Sequence, residues 1–280
     1  MDFKVNPIKR QEYSDTSDKG FVSQGSKGRF GNTVTDRSGS IDIGTGFKPF
    51  VIIDEDDRTE VKDTRPYPYR VICALFMQFR PNGYIYRGTG TLIGRQHILT
   101  CAHNCINNGN RVIGMDVVPG HTPSGNHNMG DTHADHVYFP DDYKDTLDGS
   151  LDYAVIKLAD PIGDNLGWMG YREASEGELN NLPVHVTGYP RFRPNSTAEQ
   201  MYEGLGKVLR LQSQTMFHDV DAQGGQSGSA IYSYEDGDIN DEPTIFGVHT
   251  GGDTSPVPEW NIGVRLNKPV IDDIKAWIEK

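Results

Sequence analysis

The sequence predicts an all-β protein, a barrel or a sandwich, and three observations carry that expectation. Short β-prone runs follow one another along the chain, each bounded by turn residues. The 280 residues include 32 Gly and 16 Pro, the turn-formers that many tight connections require. One stretch alone, at the end of the chain, has a clear helical period.

Residues 1 to about 50 are rich in Ser, Gly, Thr, Asp and Lys and have no period. They read as a poorly ordered polar extension or as a pro-segment whose removal frees Val51. From Val51 the texture changes. The runs are VIID (51–54), YRVICALFMQF (69–79), GYIYRGTGTLI (83–93) and HILTC (97–101), with PNG (81–83) as a candidate hairpin turn. The stretch 107–150 is rich in Gly, Asn, His and Asp and is expected to be mostly loop. Then come LDYAVIKL (151–158), LPVHVTGYP (182–190), GKVLRLQSQTMFHDV (206–220), SGSAIYSY (227–234), TIFGVHTG (244–251) and IGVRL (262–266). In NKPVIDDIKAWIEK, Val270, Ile271, Ile274, Trp277 and Ile278 share one helical face and Asn267 is placed to cap it.

With 27 Lys+Arg against 39 Asp+Glu, the formal net charge is −12. Such a surface repels phosphate backbones and anionic bilayers, so neither a nucleic acid nor a membrane is an expected partner. No apolar stretch approaches the roughly 18–20 residues that span a bilayer. The first twenty residues lack the apolar core of a secretory signal. An intracellular site, a leader upstream of this sequence and another export route all stay open. The three cysteines, Cys73, Cys101 and Cys105, are too few for a disulfide framework; free thiols are favoured over a Cys101–Cys105 or Cys73–Cys105 bridge.

Three segments belong together chemically. GTGTLIGRQHILTCAHNC (88–105) delivers His103, LDYAVIKL opens with Asp152, and GGQSGSAIY (224–232) sets Ser227 in a glycine-rich turn. Amide hydrolysis by a serine hydroxyl needs a base to take its proton during attack. An imidazole does this near neutrality and returns the proton to the leaving amine. A carboxylate behind the ring fixes the tautomer and stabilises the imidazolium. The developing oxyanion needs two converging N–H groups, for which the backbone of Gly225 and Ser227 is placed. The order His, Asp, Ser and the absence of a G-x-S-x-G elbow exclude the α/β-hydrolase arrangement. The expected activity is therefore serine-type endopeptidase, acting on protein or peptide substrates with no cofactor and no metal.

Residues 51–280 resemble the glutamyl endopeptidases, a bacterial-type branch of the chymotrypsin-fold serine proteases. The resemblance rests on VIIDEDDRTEVKDTRPYPYRVI (51–72), TGTLIGRQHILTCAHNC, LDYAVIKL, VTGYP, GGQSGSAIY and FGVHTGGD, in that order. It implies two six-stranded antiparallel β-barrels with the active site between them. The first would span about 51–165, the second about 180–266, with a C-terminal helix at about 267–279. It further implies that His249 lines the pocket for the residue before the scissile bond (P1), a glutamate or aspartate. A freed α-amino group at Val51 would assist, and Thr250, Gly251 and Gly252 would pair with the substrate backbone. It also implies an extracellular setting.

Two positions depart from the pattern. Family members often carry Thr or Ser five residues before the nucleophile, and Ala222 stands there. Trypsin-like enzymes place Asp directly before the nucleophile to pair with a freed N-terminus, and Gln226 stands there. Two rivals remain. A protease-fold interaction protein without activity would keep the architecture alone. A metal-binding protein would use Cys101, His103 and Cys105, or the nearby His121, His127, His133 and His136, though without standard zinc spacing. The C-terminal helix packs most simply on its own barrel, which makes a monomer the expectation.

Overall fold

The computed structural model describes residues 1–8, 51–79, 85–107, 109–123, 129–191, 200–234, 241–252 and 259–280. The stretch 9–50 and the PNG turn at 81–83 lie outside the described residues. The strands are β1 (Asp2–Lys4), β2 (Thr59–Glu60), β3 (Ile72–Phe79), β4 (Ile85–Gly94), β5 (His97–Thr100), β6 (Ile106–Asn107), β7 (Asn110–Pro119), β8 (Thr132–Tyr138) and β9 (Ala154–Leu158). They continue with β10 (Gly170–Tyr171), β11 (Pro183–Gly188), β12 (Tyr202–Gln212), β13 (Thr215–His218), β14 (Ala230–Ser233), β15 (Thr244–Gly252) and β16 (Asn261–Arg265).

Two closed six-stranded barrels result. In the first, β8-β9-β5-β4-β3-β7 closes through β7 against β8. In the second, β15-β14-β11-β12-β13-β16 closes through β15 against β16. Closure leaves no unpaired edge in either ring. Strand β3 shows how the barrels join. Cys73, Leu75 and Met77 point into the first core, while Ile72, Ala74 and Phe76 pack with Val61, Tyr189 and Met201. Burial on both faces explains why ICALFM reads as a continuous apolar run rather than an alternation.

The C-terminal helix, Lys268–Ile278, starts at Asn267, whose side chain accepts from Val270 N at 3.3 Å. Val270, Ile271, Ile274 and Trp277 enter the first core. Trp277 lies 5.7 Å from the Tyr153 ring, and the Tyr153 hydroxyl donates to Asp273 at 2.6 Å. The helix therefore braces the residue next to Asp152, and its apolar face is spent inside the chain.

Four expectations change. The stretch 107–150 holds β7 and β8, not mostly loop: Val112, Met115, Val117, Ala134 and Val137 are buried in the first core. Part of the polar extension is a strand, because β1 pairs with β8 and Val5 is buried. VIID forms no strand. Lastly, the segment 51–61 attaches to the second barrel rather than the first: β2 pairs with β12, and Val51 O accepts from Ala222 N at 3.1 Å. Run 206–220 is a hairpin, β12 to β13, turning at Ser213 with φ 48°.

Candidate active site

His103 lies in a 3-10 turn, Ala102–Asn104, directly after β5. Asp152 closes another such turn just before β9, and β5 and β9 are paired neighbours, so the two residues meet at one barrel end. Asp152 Oδ2 accepts from His103 Nδ1 at 2.7 Å, and Oδ1 accepts from the His103 backbone N–H at 2.9 Å. Ser227 arrives from the second barrel and places Oγ 2.7 Å from His103 Nε2. The structure thus brings the three residues singled out from sequence into one hydrogen-bonded chain.

The environment tunes each group. Burial disfavours a charge on the His103 ring, but Asp152 beside it outweighs that and lifts the ring well above its ordinary pKa. Tyr143 is buried near the Asp152 carboxylate, and burial first, then that carboxylate, pushes its phenol up. Cys101 Sγ sits 3.5 Å from His103 Nε2, with burial raising its thiol to about 11, so it stays neutral.

The turn before Ser227 is shaped by glycine. Gly225 has φ 101° and Gly228 φ 85°. A Cβ at Gly225 would lie 2.3 Å from Tyr189 O, and one at Gly228 would lie 2.3 Å from Thr89 O. Among the described residues, backbone bonds in this loop use the amides of Gln226, Gly228 and Ser229, not those of Gly225 and Ser227. The first barrel holds the loop from outside. Thr89 Oγ1 donates to Gly225 O at 2.9 Å, Thr89 N to Ser227 O at 2.8 Å, and Asn104 Nδ2 to Ser227 O at 3.0 Å. Nothing in the sequence flagged Thr89 or Asn104, since Asn104 acts through an ordinary side-chain amide and Thr89 through an ordinary hydroxyl and its backbone N–H.

Of the residues expected to line the P1 pocket, Val51 meets Ala222 and Gly252. Val51 O accepts from Ala222 N and, at 2.8 Å, from Asn261 Nδ2, while Val51 N donates to Asn261 Oδ1 at 3.2 Å. A Cβ on Gly252 would lie 2.6 Å from Val51 Cγ2. His249 is buried, with Nδ1 3.3 Å from His218 Nε2. Burial first, then His218, His103 and Arg58, hold His249 well below the ordinary imidazole range; burial takes His218 down to about 3. Both shifts favour the uncharged ring. His218, hidden inside an apolar run, was missed. Beside Asp152 a cleft of about 590 Å³ is lined by residues of both barrels, including Tyr143, Leu147, Gln212, Phe217, Thr250 and Ile262.

The cysteines are all free and buried. Among the described residues the group able to hold a metal is Cys101, His103 and Asp152, without Cys105. The C-x-H-x-C segment is a 3-10 turn rather than extended, so its alternate residues do not share a face. His127 lies outside the described residues.

A family model for a trypsin-like peptidase domain matches residues 88–239, more than half of the chain. The glutamyl endopeptidase of Bacillus licheniformis is 28% identical over 230 residues, covering 81% of this chain and 68% of that protein. A Bacillus subtilis protein named extracellular metalloprotease is 27% identical over 233 residues, covering 82% and 70%. A solved Glu endopeptidase, in complex with MPD, superposes with a TM-score of 0.71 at 28% identity, covering 82% of this chain and all of that one. With its two barrels and its Ser-His-Asp geometry, this chain belongs to the trypsin-like peptidase family and is a serine-type endopeptidase.

Proposed function

We propose that Ser227 is the nucleophile, His103 the general base and acid, and Asp152 the group that orients and stabilises the ring. The observation that carries this is the pair of 2.7 Å contacts on opposite nitrogens of one buried imidazole. Attack by Oγ on a peptide carbonyl passes its proton to Nε2. The tetrahedral oxyanion is received by the N–H groups of Gly225 and Ser227. The imidazolium returns the proton to the leaving amine, and water then opens the acyl-enzyme by the reverse route.

We further propose an acidic P1 preference. Between the neutral rings, one tautomer has His218 Nε2–H donating to His249 Nδ1, which leaves His249 Nε2–H as a donor for a carboxylate. In the reverse tautomer His249 donates through Nδ1–H to His218 Nε2, and its own Nε2 becomes an acceptor that a carboxylate would not pair with. The proposed preference rests on the first arrangement, which an acidic P1 side chain would itself select. Val51 beside Gly252, and the edge Thr250–Gly252, complete the pocket in this reading. Ala222 supplies no hydroxyl, so His249 carries more of the discrimination than it would beside a Thr or Ser.

Protein or peptide substrates are cleaved outside the cell in this reading, a setting supported by the extracellular relative. Among the described residues, no helix is long and apolar enough to cross a membrane. Profiling cleavage of a peptide library tests activity and P1 preference together. Cuts after Glu or Asp are expected, and cuts with no P1 selectivity would remove the pocket assignment while leaving the triad.

A further inference from the structure

Gln226, directly before Ser227, is fully buried, and it stands where trypsin-like enzymes use an Asp to hold a freed N-terminus. Its Oε1 accepts from Gln223 N at 3.0 Å and from Arg58 Nη1 at 2.5 Å. The Arg58 side chain is itself shut off from solvent. Its Nη2 also donates to Gln223 Oε1 at 3.0 Å, and Asp56 binds Nε and Nη2 at 2.9 Å each. A buried guanidinium is tolerated only when its charge and donors are met, and this one is met by a carboxylate and two amide oxygens. Those two amides bracket the turn whose interior residue, Gly225, has φ 101°.

The segment carrying Arg58 is fastened along its length. Asp221 Oδ1 accepts from Ile53 N at 2.7 Å, and Oδ2 from Asp57 N at 3.2 Å. Together with the Val51 bonds to Ala222 and Asn261, this stitches residues 51–58 onto the second barrel beside the nucleophile loop.

We propose that Arg58 is the positioning residue of the oxyanion loop, holding Gln223 and Gln226 so that the Gly225 and Ser227 N–H groups face one point. It does from within the chain what a freed N-terminus paired with Asp does in the trypsin-like pattern. The inference rests on Ser227 being the nucleophile. It has a regulatory consequence: the oxyanion hole is built while the Phe50–Val51 bond is intact. Cutting that bond alters the pocket where Val51 meets Gly252, and leaves the hole as it was.

The test is fluorophosphonate labelling of the full chain, with mass spectrometry confirming the Phe50–Val51 bond in each sample. The intact wild type labels at Ser227 as fast as protein cut at that bond. Arg58→Ala and Gln226→Leu each slow labelling by about 100-fold or more, the scale of a lost oxyanion donor, and lower kcat with little change in KM. Gln226→Glu, which offers the guanidinium a carboxylate, recovers most of the rate. Gln226→Leu spares the Arg58 pairs with Asp56 and Gln223, so it decides the matter if Arg58→Ala fails to fold. Wild-type rates in both variants, or an intact chain that labels only after cutting, would overturn the inference. A wild type that labels in neither form would instead overturn the assignment of Ser227.

Discussion

Asp152 grips His103 twice, taking its ring Nδ1–H on one carboxylate oxygen and its backbone N–H on the other. The carboxylate thus fixes the ring and the turn that carries it. Because Asp152 also lifts the His103 pKa, kcat/KM should rise with pH as the ring loses its proton above the ordinary imidazole range. Asp152→Asn should lower kcat by about 10⁴ and move that rising limb to lower pH. A limb that stays in place would separate it from His103.

Gly228 tests the shape of the loop. At φ 85°, with Thr89 O where a Cβ would sit, Gly228→Ala is both strained and crowded. It should cost about 1–3 kcal/mol of stability and most of the activity. Thermal unfolding with a parallel peptidase assay checks both, and an unchanged variant would show that the loop has room.

His218 tests the pocket. His218→Leu removes the partner of His249 Nδ1 without touching the triad. It should reduce kcat/KM for P1 Glu substrates about tenfold or more while leaving fluorophosphonate labelling close to wild type. Equal losses in both assays would make the histidine pair a purely structural feature.

Trp277 tests the brace behind Asp152. Trp277→Ala should destabilise the fold by about 3 kcal/mol, read from denaturant midpoints, with a smaller effect on kcat per folded molecule. Little loss of stability would mean the helix is dispensable.

The parts of the molecule legible in its sequence are those where one residue type has one use. His103, Asp152 and Ser227 each sit in a distinctive local context, and the glycines around Ser227 announce a turn that no other residue fits. The helix was legible because five apolar side chains repeat at its period. Strands β7 and β8 were not: His133, Asp135 and His136 break up the apolar pattern of β8, and Asp116, buried within β7, interrupts the inward Met and Val. Residues 51–61 were placed by chain order in the first barrel, whereas hydrogen bonds to Asp221, Ala222 and Asn261 carry them to the second. Arg58, Thr89 and Asn104 act through partners remote in the chain, and no local pattern encodes such partners.

The most direct measurement is peptide mapping of the chain after reaction with diisopropyl fluorophosphate. A single adduct on Ser227, abolished in Ser227→Ala together with peptide cleavage and strongly slowed in His103→Ala, is the predicted result. Cleavage that persists in Ser227→Ala, or an adduct carried by another residue, would contradict the assignment.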